Sequence, residues 1–153
     1  MIYTTIEEPF TNLVDPSALE SAGRLALECA EAPADSVLTV VISDDEQLAE
    51  LNSQYLGIDA PTDVLSFPVN EVDPDTGARY LGDVLISYPR AQAQAEAGGH
   101  AVLDELQLLV VHGVLHLLGY DHAAEMDKER MWAVQADALK RLGCSVSGYE
   151  HPE

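Results

Sequence analysis

Residues 102–122 read VLDELQLLVVHGVLHLLGYDH, and the fold turns on how this stretch is read. From Val102 to Leu118 apolar side chains fall on nearly every face of a helix, which predicts a buried helix. His112 and His116 interrupt it. Four residues apart, their imidazoles project from one face about a turn from each other. Gly119 follows, where a left-handed backbone costs glycine little, so the chain can double back and carry His122 toward the same point. Three neutral imidazoles suit zinc and leave the fourth tetrahedral position to water, as in a catalytic site; a structural zinc normally takes a fourth protein ligand. A single histidine in such a setting is more often a plain core or surface residue. Here three of the chain's five histidines lie between positions 112 and 122, and an unpartnered imidazole in an apolar helix is costly to desolvate. The reading is one Zn2+ per chain on His112, His116 and His122. His100, after Gly98-Gly99, and His151, beside Pro152, are expected at the surface.

Working outward, Glu125 to Leu142 reads as an amphipathic helix with Trp132 and Leu139 on its apolar side and Gly143 as its stop. Upstream, Pro89 opens a short Ala/Gln-rich helix that ends at Gly98-Gly99. Thr62–Val69 and Tyr80–Ser87 are β-like runs joined by the turn-rich stretch Asn70–Arg79, and they are expected to pair. Ser36–Ser43 is a β-branched strand leading through Asp44-Asp45 into a helix that stops at Gly57. Asp15-Pro16 caps and opens a further helix through Cys29. Three or four strands and five helices are expected.

A chain of 153 residues, 47% of them hydrophobic, has the size and apolar content of one domain spanning 1–153. Neither a long apolar run nor a basic, apolar leader is present, which predicts a cytoplasmic protein with no membrane partner. Cys29 and Cys144 show no ligand spacing and read as free thiols. Twenty-seven acidic residues against seven basic ones give a net charge of −20, scattered as on a solvated surface. That balance opposes non-specific binding to nucleic acid or anionic membrane.

The spacing His-x-x-x-His-x-x-Gly-x-x-His is that of an extended zinc-protease motif, but such a peptidase carries its general-base glutamate directly after the first histidine. Here that position is Gly113, so a peptidase is disfavoured. The segment His112–His122, HGVLHLLGYDH, resembles instead the signature of the YbeY family of bacterial endoribonucleases, which are ribosomal RNA maturation factors. Pro61-Thr-Asp-Val-Leu-Ser-Phe-Pro68 and Leu81-Gly-Asp-Val84 resemble two further segments of that family in the same order, so the likeness runs from about Val37 to Leu142.

The resemblance implies a zincin-like α+β domain, with a small mixed sheet of about four strands packed against about five helices. It further implies a zinc-dependent, single-strand-specific endoribonuclease acting in 3′-end maturation of small-subunit ribosomal RNA and in ribosome quality control. Its partners would be single-stranded RNA, ribosomal RNA or the small ribosomal subunit, and a protein partner is one way to supply the positive surface this chain lacks. By the same analogy His112, His116 and His122 are the zinc ligands. One departure stands out. Where the family often has Tyr-Arg-Gly, this chain has Tyr55-Leu56-Gly57, and leucine cannot pair with a phosphate oxygen. That role is vacant here or filled by Arg79, Arg90 or another residue.

For phosphodiester cleavage, Asp63 and Asp83 are the candidate catalytic carboxylates, acting with zinc-bound water. Either could equally be a capping or strand-end residue, and Asp121 reads as a turn residue or a group orienting His122. Two other classes stay open at this level: a zinc hydrolase of another substrate, and a non-enzymatic ribosome-assembly factor whose zinc only braces the fold. A closed fourth ligand would favour the latter.

Overall fold

In a computed structural model, residues 1–57, 62–120 and 125–144 are described. The elements in chain order are β1 (Ile2–Ile6), α1 (Pro16–Cys29), β2 (Ser36–Ser43), α2 (Asp45–Leu56), β3 (Val64–Val72), β4 (Arg79–Ser87), α3 (Tyr88–Gly98), α4 (Val102–Leu117) and α5 (Glu125–Leu142). The four strands form one mixed sheet in the order β1-β2-β4-β3. β1, β2 and β4 run parallel, and β3 lies antiparallel on the outer edge of β4. This is the α+β fold expected, with four strands and five helices among the described residues.

Local chemistry sets most element ends. Asp15 accepts from Ser17 N at 3.0 Å and Asp44 from Gln47 N at 2.7 Å, each satisfying an orphan N–H of the helix it caps. Ser87 does the same for α3, accepting from Arg90 N at 3.3 Å. Gly57, Gly99 and Gly143 close their helices at positive φ.

Two features depart from the sequence reading. β1, Ile2-Tyr-Thr-Thr-Ile6, alternates half-buried and exposed and earns its place through parallel pairing with β2. Its neighbour lies more than thirty residues on, which local pattern does not reveal. β3 runs past the expected Val69 to Val72, because Glu71 and Val72 pair with Tyr80 and Arg79 across a bulge after Pro68. Gly82 makes that bulge possible. Its φ is 142° and a Cβ there would lie 2.1 Å from the Phe67 carbonyl oxygen.

One face of the sheet is dry: Leu38, Val40, Ile42, Val84 and Ile86 are fully buried. Side chains at alternate positions point to opposite faces, so Thr39, Val41, Asp83 and Leu85 lie on the other, half-exposed one. α4 is the central helix of the dry side, packed on β3, β4, α1, α3 and α5. Every residue from Glu105 to Leu115 is buried, as its all-round apolar pattern predicts. Each fully buried leucine or valine of this layer contributes about 1.5–3 kcal/mol by leaving water.

α4 comes unusually close to the sheet at Gly113. A Cβ there would meet Val84 Cγ1 at 2.5 Å and Ser66 Oγ at 3.3 Å. Ser66 in turn donates to the Gly113 carbonyl at 2.9 Å, so strand and helix are joined by a side chain-to-backbone bond at the point of contact. No larger residue fits without displacing the helix.

Candidate metal centre

The burial of α4 and its glycine contact with β3 carry His112 into the core and leave His116, one turn on, half-buried at the core's margin. Their Nε2 atoms face each other at 3.0 Å, with ring planes at 74°. Two nitrogens bound to one tetrahedral zinc at about 2.05 Å lie about 3.3 Å apart. The pair thus stands near the separation a shared cation requires.

His112 is held by a residue the sequence reading missed. Its Nδ1–H donates to Gln135 Oε1 at 2.9 Å, which keeps the proton on Nδ1 and turns the Nε2 lone pair toward His116. Gln135 is itself buried, on the stripe of α5 that also carries Met131, Ala138 and Leu139. An amide at a core position of an amphipathic helix was the available signal. The Trp132 ring flanks His112 with centroids 5.9 Å apart.

α4 ends as expected. Gly119, at φ 95°, donates to the His116 carbonyl and Tyr120 N donates to the Leu115 carbonyl, each at 3.0 Å, the paired bonds of a Schellman turn that reverses the chain. His122 and Asp121 lie outside the described residues, as does His151. Among the described residues no group of three His, Cys, Asp or Glu side chains comes together as a metal site.

His116 forms one wall of a groove of about 290 Å3 along the β3 edge, lined also by Leu56, Val64, Leu65, Ser66 and Pro68. Leu56, at the end of α2, is 53% exposed. The position that departs from the family pattern therefore does face this groove. Arg79 and Arg90, the suggested substitutes, do not line it. Arg90 makes a two-bond pair with Asp45, at 2.9 and 3.0 Å, that holds the Asp45 carboxyl below its ordinary range. Arg79 begins β4 opposite Ser36 and Val72.

The candidate carboxylates are not gathered at the histidines. Val84 points at α4, so Asp83 points from the opposite face of β4. There it accepts from the Tyr80 hydroxyl, which also shares a 2.7 Å bond with Thr39 Oγ1. Burial first, and this carboxylate second, raise the Tyr80 hydroxyl above the ordinary phenol range. Asp63 is buried at the head of β3, within 3.4 Å of both Gln94 Nε2 and Thr62 Oγ1, with its backbone carbonyl accepting from Ser87 N at 3.0 Å. These contacts tie β3 to α3.

His100 is corrected. It is half-buried and lies 2.6 Å from the fully buried Glu105 carboxylate, a pairing across the α3–α4 turn that brings it off the surface. Cys144 Sγ donates to the Asp104 carbonyl at 3.4 Å, and burial followed by Asp137 raises the Cys29 thiol, which keeps it protonated at neutral pH.

A family model described as Endoribonuclease YbeY matches residues 11–143. An endoribonuclease YbeY of Halalkalibacterium halodurans is 46% identical over 118 residues, covering 72% of this chain and 74% of the relative. One from Dehalococcoides mccartyi is 39% identical over 153 residues, covering 92% and 96%, and one from a Roseiflexus species is 42% identical over 143 residues, covering 90% and 89%. The solution structure of a Thermotoga maritima protein superposes with a TM-score of 0.58 over 99% of this chain and 98% of that one, at 24% identity, a likeness of fold. With the His112–His116 pair on a buried helix and relatives of this identity along most of its length, the chain belongs to the endoribonuclease YbeY family.

Proposed function

We propose that residues 1–153 act as one metal-dependent endoribonuclease that cleaves single-stranded RNA, in maturation of small-subunit ribosomal RNA and ribosome quality control, in the cytoplasm. Zinc is the proposed metal, held by His112, His116 and His122. The observation that carries the reading is the buried His112, its Nδ1 proton held by Gln135 and its Nε2 3.0 Å from that of His116, at the wall of a groove on the sheet edge. None of the described helices is long and apolar enough to cross a membrane, which accords with a ribosomal RNA substrate.

Bound zinc supplies Lewis acidity toward a phosphoryl oxygen and acidifies water to a pKa of about 7. The chain's own residues do the rest. Gln135 fixes the His112 tautomer so that Nε2 is an electron-pair donor in the resting protein. Gly113 and Ser66 lock α4 against β3, which sets the two histidines at a constant height beside the groove. Leu56, Val64 and Leu65 give the groove beside His116 an apolar wall that limits water next to the histidines. Asp63 serves as a positioning residue for the β3 edge, and Asp83, on the far face, takes no part in the chemistry. A glutamate base of the zinc-protease kind has no room at Gly113, which argues against peptide hydrolysis.

The test combines metal analysis with cleavage of a labelled single strand and of precursor ribosomal RNA. About one zinc per chain is expected, lost together with cleavage in His112→Ala and in His116→Ala. Stoichiometric zinc in both variants, or cleavage that survives them, would overturn the proposal.

A further inference from the structure

We infer that the groove beside His116 grips a nucleobase of its single-stranded substrate, not the phosphates, with Leu56 as the residue that sets this mode; the inference rests on the endoribonuclease reading above. The groove is lined by Leu56, Val64, Leu65, Ser66, Pro68 and His116, with no cation among the described residues. All seven Lys and Arg of the chain fall within the described segments, so each can be placed. Arg90 is bound to Asp45, Arg141 to Asp137 at 3.2 Å, and Arg130 lies over the Tyr120 ring. Arg24 sits on α1 beside Ser21, Arg79 at the far end of β4, and Lys128 and Lys140 on the exposed side of α5.

A strand entering this groove therefore meets no positive side chain, on a protein whose net charge of −20 repels its phosphates. What the groove does offer is apolar surface. Its volume of about 290 Å3 is at the small end for ligand pockets, room for one ring system and not a run of stacked bases. Leu56 is 53% exposed at the last turn of α2. The neighbouring Tyr55 ring packs edge-on against Phe67 of β3 at 5.6 Å, and Gly57 closes the helix at φ 69°. A half-exposed leucine beside Val64, Leu65 and Pro68 and next to a candidate metal ligand is suited to the flat face of a base. Apolar contact with a base neutralises no phosphate and releases no counterion, so it adds little to the salt dependence of binding.

The experiment uses the zinc-loaded full chain and a short single-stranded RNA with 2′-O-methyl riboses and one 2-aminopurine, whose fluorescence reports burial of the base. Each phosphate neutralised by Lys or Arg on a single strand contributes about −0.7 to the slope of log affinity against log salt. Wild type is expected to show a slope of at most about one such contact between roughly 50 and 200 mM salt, and a rise in fluorescence at one position of the strand, where the base leaves its stacked neighbours for an aliphatic surface. Leu56→Ala should weaken binding roughly fivefold to tenfold and lose the rise. Leu56→Arg should also lose the rise while steepening the slope by about one contact. Because Leu56 is exposed, both variants should melt with wild type. A wild-type slope equivalent to three or more contacts, or an unchanged rise in Leu56→Ala, would overturn the inference. Cleavage of the unmodified strand, with His112→Ala as control, separates the two claims. Activity that requires His112 but ignores Leu56 sinks the base grip alone, and a wild type that neither binds nor cleaves RNA sinks both.

Discussion

Replacing Gln135 by leucine changes one atom's partner at the heart of the site and little else. The side chain is buried on the apolar stripe of α5, so leucine fits the position in size and character. What goes is the oxygen 2.9 Å from His112 Nδ1. Removing the acceptor of a buried N–H costs about 1–3 kcal/mol, partly offset by the gain of apolar packing. The proton is then no longer held on Nδ1, and a shift to Nε2 removes the lone pair that faces His116. Loss of an outer hydrogen bond to a metal-binding histidine typically weakens the metal 10–100-fold, or about 1.4–2.7 kcal/mol. We expect Gln135→Leu to lose zinc affinity by that factor in competition with a chromophoric chelator, while urea unfolding in EDTA shows a smaller loss of stability. Gln135→Glu keeps an acceptor in place and should retain most of the affinity. If Gln135→Leu binds zinc within twofold of wild type and folds normally, the orientation argument is wrong and His112 is positioned by α4 alone.

Gly113→Ala sets two effects against each other. Alanine improves helix propensity by about 1 kcal/mol, but its Cβ would stand 2.5 Å from Val84 Cγ1 in a fully buried layer, and overpacking costs about 1–3 kcal/mol. A net loss of about 0–2 kcal/mol is expected in urea, and a variant more stable than wild type would contradict the close approach of α4 to the sheet. The Asp45–Arg90 pair gives a pH signature. The arginine holds the folded-state Asp45 carboxyl below its ordinary value, so the pair's contribution is complete above the unfolded carboxyl's range and is lost as pH falls through the lowered folded value. Both side chains are more than a third exposed, so screening limits the effect to under about 1 kcal/mol. Arg90→Ala should be slightly less stable than wild type at pH 7 and equal to it in strong acid, and a deficit that persists unchanged at low pH would assign the loss to packing.

Features legible in the amino-acid order are those that local chemistry controls. Asp15, Asp44 and the glycines at 57, 99, 119 and 143 mark helix ends because caps and left-handed turns act within a few residues. The all-round apolar pattern of Val102–Leu117 announced the buried helix, and the spacing of His112 and His116 put two imidazoles on one face, since a helix brings residues four apart together wherever it forms. Family membership was legible for the same reason, in contiguous motifs.

Other features depend on partners distant in sequence and emerge only when the chain folds. β1 exists as a strand because β2 accepts it, and β3 reaches Val72 because β4 extends there. Asp83 and Val84 are neighbours in the chain, yet the pleat sends one to the half-exposed face with Tyr80 and the other into Gly113, so a carboxylate next to a motif residue is not thereby next to the site. Gln135 reaches His112 from 23 residues away, and His100 is drawn inward by Glu105. Leu56 joins His116 in one groove only because α2 and α4 both pack against β3. Spacing along a chain fixes geometry across a turn of helix and no further; beyond that, which face a side chain occupies depends on how the sheet twists and where the helices settle against it.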